Sequence, residues 1–386
     1  MTNKYDIIIL GLGAMGSAAL YQLARQNQAV LGIDQFSPPH IYGSTHGDTR
    51  ITRQAIGEGE QYTPLALRSY ELWKEIENKT RENLLTITGG LIISKHQSEF
   101  LVNTMSAAKK YHIPHEILEA SKLRKKFPQF NVQDDDIGFY EFNAGFLSPE
   151  KCVAAQLRLA QQYGAHIHQN EIMENFEEIN ENCIRIKTNQ GEYQTKKLII
   201  TAGAWLPNIL EKTYAKLFTV TRQVLFWFDI QNAFESFSQG HFPVFIYKPN
   251  PSSRIGGIYG FPAIDGINGG IKIAQGQYGE VTDVNSVNRQ VSAQEINLMY
   301  ENYIAPYLPK ISRQCIKAVT CLYTNTPDEN FIIDTHPNHP AVLIVSPCSG
   351  HGFKHSAAIG EIVAELVIEG NSTLDISGFR MGRFEH

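Results

Sequence analysis

Near the start of the chain, the apolar run Ile7-Ile8-Ile9-Leu10 shows no polar alternation, which is the pattern of a strand buried on both faces of a parallel sheet. It opens directly into Gly11-Leu-Gly13-Ala-Met-Gly16 and a helical pattern. A second apolar run, Ala29 to Ile33, ends at Asp34. Apolar residues return at helical spacing over Pro64–Ile76, Glu99–Tyr111 and Pro149–Tyr163, the last closed by Gly164 as a C-terminal cap. Alternating, β-branched stretches predict one strand around a Gly-Gly pair over Leu85–Ser94 and a strand–turn–strand over Ile137–Ser148. Shorter strands are predicted at Ala165–His168 and Cys183–Thr188, and Lys197–Thr201 reads as a buried strand running into Gly203 and a helix. From Thr219 to Cys321 the chain is aromatic, β-branched and broken by Gly and Pro, with one helix near Ala293–Tyr303; this predicts an antiparallel sheet with helices. The chain closes on a strand at Val342–Val345, a turn at Ser349-Gly-His-Gly352 and a helix at Ala357–Glu369 ending at Gly370.

This order predicts an α/β protein whose second domain is α+β. A Rossmann-like nucleotide-binding domain would be discontinuous, over 1–82, 150–215 and 322–386. A second, antiparallel-sheet substrate domain would take 83–149 and 216–321. A length of 386 residues fits two domains. A net charge of −5 presents no basic face for nucleic acid, and no apolar run approaches the ~20 residues of a membrane helix, so neither is an expected partner. The opening residues lack a charged segment followed by an apolar one, which predicts no signal peptide and a cytoplasmic protein. The five cysteines, Cys152, Cys183, Cys315, Cys321 and Cys348, lack paired spacing, so neither a disulfide framework nor a zinc site is expected.

The chemistry starts at the glycines. A dinucleotide-binding turn needs a tight reversal at Gly11, close backbone approach to a pyrophosphate at Gly13 and helix–strand packing at Gly16, with the helix N-terminus offering free N–H groups. An acid about 20 residues on, here Asp34, would accept ribose hydroxyls. These residues alone leave NAD and FAD both open. The Pro- and Gly-rich loop from Phe36 to Arg50 is long enough to be functional. Arg50, Arg53 and Lys354 lie next to glycine turns, where such cations hold carboxylates; the alternative is surface charge. Lys272 shares a strand face with Gly270 and Ala274, as a buried functional cation or an edge-strand lysine. Cys321 reads by itself as an inert buried thiol. His46 and His351 each lie beside a glycine without metal-ligand spacing, so hydrogen bonding is their expected role and no metal site is expected.

The motifs Gly11-Leu-Gly-Ala-Met-Gly16, Pro38-Pro-His40, His46-Gly-Asp-Thr-Arg50 with Arg53, Gly57-Glu-Gly-Glu60, Tyr259-Gly-Phe-Pro262, the Cys321 to Asp334 segment and Ser349-Gly-His-Gly-Phe-Lys354 run nearly end to end. With them the sequence resembles the monomeric sarcosine oxidase and N-methyltryptophan oxidase family, within the D-amino-acid-oxidase-like flavoenzymes. The resemblance implies FAD rather than NAD, attached through a thioether at Cys321, and a monomer acting on a secondary amino acid with oxygen as acceptor. It implies that Arg53 and Lys354 bind the substrate carboxylate, and that His46, Thr49 and Arg50 lie close to the flavin. Tyr259 would line the substrate pocket, Lys272 would serve the flavin face where oxygen is reduced, and Gly350, His351 and Gly352 would hold the flavin half. Three departures stand out: a longer segment from Ala263 to Gly270, Thr45 in place of a histidine, and Gly276 in place of the family's pocket histidine. They leave an N-methyl amino acid or a cyclic one such as proline or pipecolate as substrate. A dehydrogenase passing electrons to a carrier, and a flavin-bearing sensor without turnover, are the competing readings.

Overall fold

The structure is a computed structural model that describes residues 3–250, 257–276 and 279–384. Its first sheet is built around the opening strand, Asn3–Leu10, which pairs in parallel with Val30–Asp34 on one side and Glu192–Ile200 on the other, Ile8 standing opposite Leu31 and Leu198. His166–Gln169 extends the sheet beyond Val30–Asp34. The strand Glu192–Ile200 changes partner along its length: its first half pairs antiparallel with Cys183–Thr188, its second half parallel with His339–Ser346.

Both faces of this sheet are covered, as the uninterrupted apolar runs require. On one side Ile7 and Ile9 pack with the helices Ala14–Ala24, Tyr62–Thr80, Pro149–Gln162 and Ser356–Ile368; on the other Ile8, Leu10, Leu31 and Ile33 pack with Leu206 and Leu210. Small residues let the first and last of these helices meet closely. A Cβ added at Gly360 would fall 2.5 Å from Cβ of Ala18.

The second sheet has eight strands. In order they are Cys315–Asn325, Thr219–Phe228, Ile271–Gln275, Ile258–Gly260, Val244–Lys248, Gly90–Lys95, Asp136–Glu141 and His115–Glu119. One pairing departs from the expected antiparallel sheet: Val244–Lys248 runs parallel to Gly90–Lys95, with Ile246 opposite Ile92. These two strands come from distant segments of chain, so no hairpin dictates their direction. The Cys315–Asn325 strand runs unbroken across the expected domain boundary at 321/322.

Leu85–Ser94 is two strands rather than one. Gly89, at φ +73°, turns the chain between Leu85–Ile87, in a small third sheet with Arg50–Thr52 and Gly145–Leu147, and Gly90–Lys95 in the second. After Gly203 the helix shrinks to short turns over Gly203–Trp205 and Leu206–Ile209. The helix expected near Ala293–Tyr303 is α-helical over Ala293–Met299, started by a Ser292–Glu295 capping box, and continues as a π-helical turn over Tyr300–Ile304.

Candidate functional site

A cavity of about 840 Å³ opens between the two sheets, at the large end of the roughly 300–1,000 Å³ typical of small-molecule sites. One end of it is the Gly11–Gly16 turn. Gly11 has φ +92°, and a Cβ there would stand 2.7 Å from the Thr201 carbonyl; at Gly16 it would fall 1.8 Å from the Gly11 carbonyl, so neither position admits a side chain. At Gly13 a Cβ would meet only Thr45 Oγ1, at 3.7 Å, and the residue faces the cavity. Asp34, also on the wall, orders this turn: Oδ2 accepts from Leu12 N at 2.7 Å and Oδ1 from Phe36 N at 2.8 Å. Each oxygen keeps a second lone pair for a ribose hydroxyl.

The opposite end comes from the last third of the chain. Gly350 takes φ +78°, and a Cβ at Gly352 would fall 1.5 Å from the Pro347 carbonyl, so the turn before the closing helix again excludes side chains. His351 lines the cavity here, its Nδ1 without a partner and its pKa lowered to about 4 by burial and Lys354, with Glu58 opposing. The second sheet supplies the remaining wall. Cys321, Leu225, Trp227, Lys272 and Ala274 share one face of it, placed there by the pairings Cys321–Gln223, Leu225–Ala274 and Trp227–Lys272.

Arg50 sits against Cys321. Its guanidinium donates to the carbonyls of Thr49 (2.8 Å) and Ser44 (2.7 Å) and lies 3.6 Å from Cys321 Sγ. Burial pushes the Cys321 thiol's pKa up, and Arg50 pulls it down. Arg53 and Lys354 converge from opposite ends of the sequence on one carboxylate, that of Glu58. Arg53 donates to Glu58 Oε2 and, at 2.5 Å, to the Ala55 carbonyl, while Lys354 Nζ lies 3.8 Å from Glu58 Oε1 and donates to the His351 carbonyl at 2.5 Å. Burial alone would raise the Glu58 pKa; Arg53 and Lys354 hold it well below the ordinary carboxylate range. Burial lowers Lys354 to about 8, with Glu58 opposing and Arg53 adding to the fall.

Tyr259, Arg50, Arg53, Lys354, Cys321 and the two glycine turns thus meet on one cavity. His46, Thr49 and Lys272 lie behind its wall. Lys272 Nζ reaches the Gly47 carbonyl at 2.6 Å, the Thr49 carbonyl at 2.8 Å and Thr49 Oγ1 at 3.1 Å, with the Phe261 ring 4.6 Å away. Burial and Arg50 push its pKa well down, against Asp48, Cys321 and Glu150. His46 is lowered to about 3 by burial and by Arg50 and Lys272, and so is neutral. Among the described residues no group of three or more His, Cys, Asp or Glu is placed to hold a metal ion, and no helix is long and apolar enough to cross a membrane.

Three wall residues escape a motif reading. Glu58 lies inside Gly57-Glu-Gly-Glu60, yet nothing in its spacing shows that it pairs with Arg53 and Lys354. Lys248 and Tyr323 occupy strands whose inward faces appear only once the sheet is assembled. Glu141 supports Arg53: its carboxylate accepts from Gln54 N at 2.7 Å and Ala55 N at 3.0 Å, holding the backbone just after it.

A two-ended nucleotide cavity, closed by glycine turns and faced by a β-sheet carrying the cations, defines an FAD-binding oxidoreductase. The wall suits that cofactor, since Gly11 and Gly16 exclude side chains from the turn, Gly13 leaves its backbone open to the cavity, and among the described residues His351 Nδ1 and Ser346 Oγ are buried without partners on the same wall. Residues 6–366 match the model of the FAD dependent oxidoreductase family, and the chain belongs to it. Monomeric sarcosine oxidase of Streptomyces avermitilis is 38% identical over 98% of this chain and 97% of its own length; N-methyl-L-tryptophan oxidase of Salmonella dublin is 34% identical over 99% of each. Among solved structures, NikD, an unusual amino acid oxidase essential for nikkomycin biosynthesis, superposes with TM-score 0.83 at 20% identity over 98% of each chain. The L-proline dehydrogenase of P. horikoshii gives 0.82 at 21%, over 100% of this chain and 99% of its own. At these identities the last two show the fold alone.

Proposed function

We propose that this protein is an FAD-dependent amine oxidase that converts a secondary N-methyl amino acid to its imine. The observation that carries this reading is the convergence of Arg53 and Lys354 on a single carboxylate at the cavity wall. A substrate carboxylate competes with Glu58 for the same two cations, and two fixed cations orient as well as bind it. The neutral amine gives up a C–H hydride and its N–H proton; water then splits the imine to formaldehyde and the free amino acid, and oxygen takes up two electrons and two protons to become hydrogen peroxide. Bound FAD supplies the electron transfer from the C–H bond to oxygen. Tyr259 and Tyr323 line the pocket, and His46, being neutral, adds no charge to it. Lys272 is assigned to stabilising the negative charge that develops as oxygen is reduced.

The discontinuous nucleotide domain, 1–82, 150–215 and 322–386, is assigned to the ADP half through Gly11, Gly13, Gly16 and Asp34, and to the flavin half through Gly350, His351 and Gly352. Thr49 and Arg50 are assigned to the flavin's surroundings, and 83–149 with 216–321 to the substrate. Cys321 is assigned as the thioether anchor, supported by its place on the cavity wall beside Arg50. Free cysteines throughout support a reducing, cytoplasmic setting, and the name of the sarcosine oxidase relatives supports a monomer.

The reading is tested by anaerobic mixing with sarcosine, N-methyl-L-tryptophan, proline and pipecolate, followed by oxygen and peroxide detection. Bleaching by an N-methyl amino acid with peroxide on reoxidation is expected; bleaching by none overturns it. Acid precipitation should leave the yellow colour in the protein pellet, and Cys321→Ser should release it to the supernatant. Colour in the wild-type supernatant would exclude the thioether.

Lys354 sets a pH dependence. A cation with pKa near 8 is charged below that pH and loses its charge above it. The inhibition constant of methoxyacetate, a carboxylate without a titrating amine, should therefore rise above pH ~8. Lys354→Arg should flatten the rise; an unchanged profile would remove Lys354 from the carboxylate site.

A further inference from the structure

The cavity holds a third cation that the reaction as described does not use. Lys248 ends the strand Val244–Lys248 and lines the same cavity as Arg53, Glu58 and Lys354. Its ammonium lies 4.8 Å from the centre of the Phe100 ring, and the Arg53 guanidinium lies 5.0 Å from the same ring. Among the described residues it has no ion pair and no hydrogen-bond acceptor. Its stem packs against Gly257. Lys248 Cγ is 3.0 Å from where a Cβ on Gly257 would sit, Gly257 accepts from Gly276 N at 3.0 Å, and a Cβ on Gly276 would touch only the Gly257 carbonyl, at 3.9 Å. Among the described residues, Gly276 therefore brings no side chain to this part of the cavity wall.

The charges decide what fits. Arg53, Lys354 and Lys248 are positive and Glu58 and Glu329 are negative, so these five groups carry an excess of one positive charge; among the described residues Glu329 faces Lys248 from the rim without forming an ion pair with it. A substrate with one carboxylate, held by Arg53 and Lys354, leaves Lys248 with no anion at ion-pair distance among the described residues in a partly buried site, which is costly. Burial lowers the Lys248 pKa, with Glu58 and Glu329 opposing and Arg53 assisting, as an unpaired cation's would fall. We propose that Lys248 is a specificity residue and that the preferred substrates are secondary amino dicarboxylates, the α-carboxylate on Arg53 and Lys354 and the second carboxylate on Lys248. This rests on the amine oxidase reading for its chemistry but not for its binding.

The test uses the holoenzyme with N-methyl-L-glutamate and N-methyl-L-norvaline, the neutral counterpart whose side chain ends in a methyl group in place of the carboxylate, following anaerobic flavin reduction. The wild type should favour N-methyl-L-glutamate, with the difference in KM. Lys248→Met should raise that KM on the order of 30-fold and change N-methyl-L-norvaline little, and Lys248→Arg should restore most of the preference. Flavin absorbance also reads binding of glutarate against butyrate, with no turnover required. Equal use of the two amines, or equal losses for both in Lys248→Met, overturns the assignment while the oxidase reading stands. If no amine bleaches the flavin but glutarate binds more tightly than butyrate and loses that advantage in Lys248→Met, the oxidase reading falls and the assignment stands. Glutarate binding no better than butyrate overturns it. Flavin content near the wild-type value shows that each variant has folded.

Discussion

Arg53→Met should lower kcat/KM for the best amine substrate by about three orders of magnitude, with losses in both terms. Arg53 is almost fully buried, is oriented by the Ala55 carbonyl and lies on the Phe100 ring, so its planar fork is fixed before substrate arrives. Truncating one partner of a buried, hydrogen-bonded charge pair costs roughly 2–5 kcal/mol, much of it from the charge left unpaired. Losing orientation as well as attraction moves kcat together with KM. Arg53→Lys should recover little, because an ammonium cannot make the two-pronged contact. The measurement is the limiting rate of anaerobic flavin reduction together with methoxyacetate affinity. A loss under tenfold would place the carboxylate elsewhere. Glu58→Gln acts in the opposite direction: with the competing carboxylate gone, methoxyacetate should bind more tightly.

Lys272→Met should slow reoxidation of the reduced enzyme by oxygen by a factor on the order of 10²–10³, the usual cost of removing one fixed stabiliser of developing charge, while leaving reduction by substrate within a few fold. The half-reactions should separate because the proposed carboxylate anchors of reduction, Arg53 and Lys354, lie on the cavity wall, whereas the cation proposed for reoxidation lies beneath the Gly47–Thr49 loop. Burial lowers the pKa of Lys272, so its charge is present at low pH and lost as pH rises. The wild-type reoxidation rate should accordingly fall with rising pH, and the variant's should not. Equal losses in both half-reactions, with weaker flavin retention, would make Lys272 a strut of that loop and nothing more.

The opening βα unit was legible because its requirements are local. A strand buried on both faces must be apolar throughout, and the turn after it must lack side chains at Gly11 and Gly16, so Ile7–Leu10 and the glycines declare themselves in consecutive residues. The helices at Pro149–Gln162 and Ser356–Ile368 showed by periodicity for the same reason. Leu85–Ser94 was misleading because alternation says which side chains share a face but not which sheet they join. Only the turn at Gly89 separates the two.

The sequence by itself determined a nucleotide-binding α/β architecture and, through its motifs, a set of cations and a cysteine. Which of them act together was decided only by the tertiary structure. Arg53, Glu58 and Lys354 span nearly the whole chain, and Lys248 arrives on a strand whose one parallel pairing no local rule predicts. Buried charges are governed by what faces them at a few ångströms, and that neighbourhood is assembled from sheet register and helix packing. Local residue order carries the side-chain-free turn at Gly11 and Gly16; long-range packing carries the charge arrangement of Arg53, Glu58, Lys354 and Lys248 on the cavity wall.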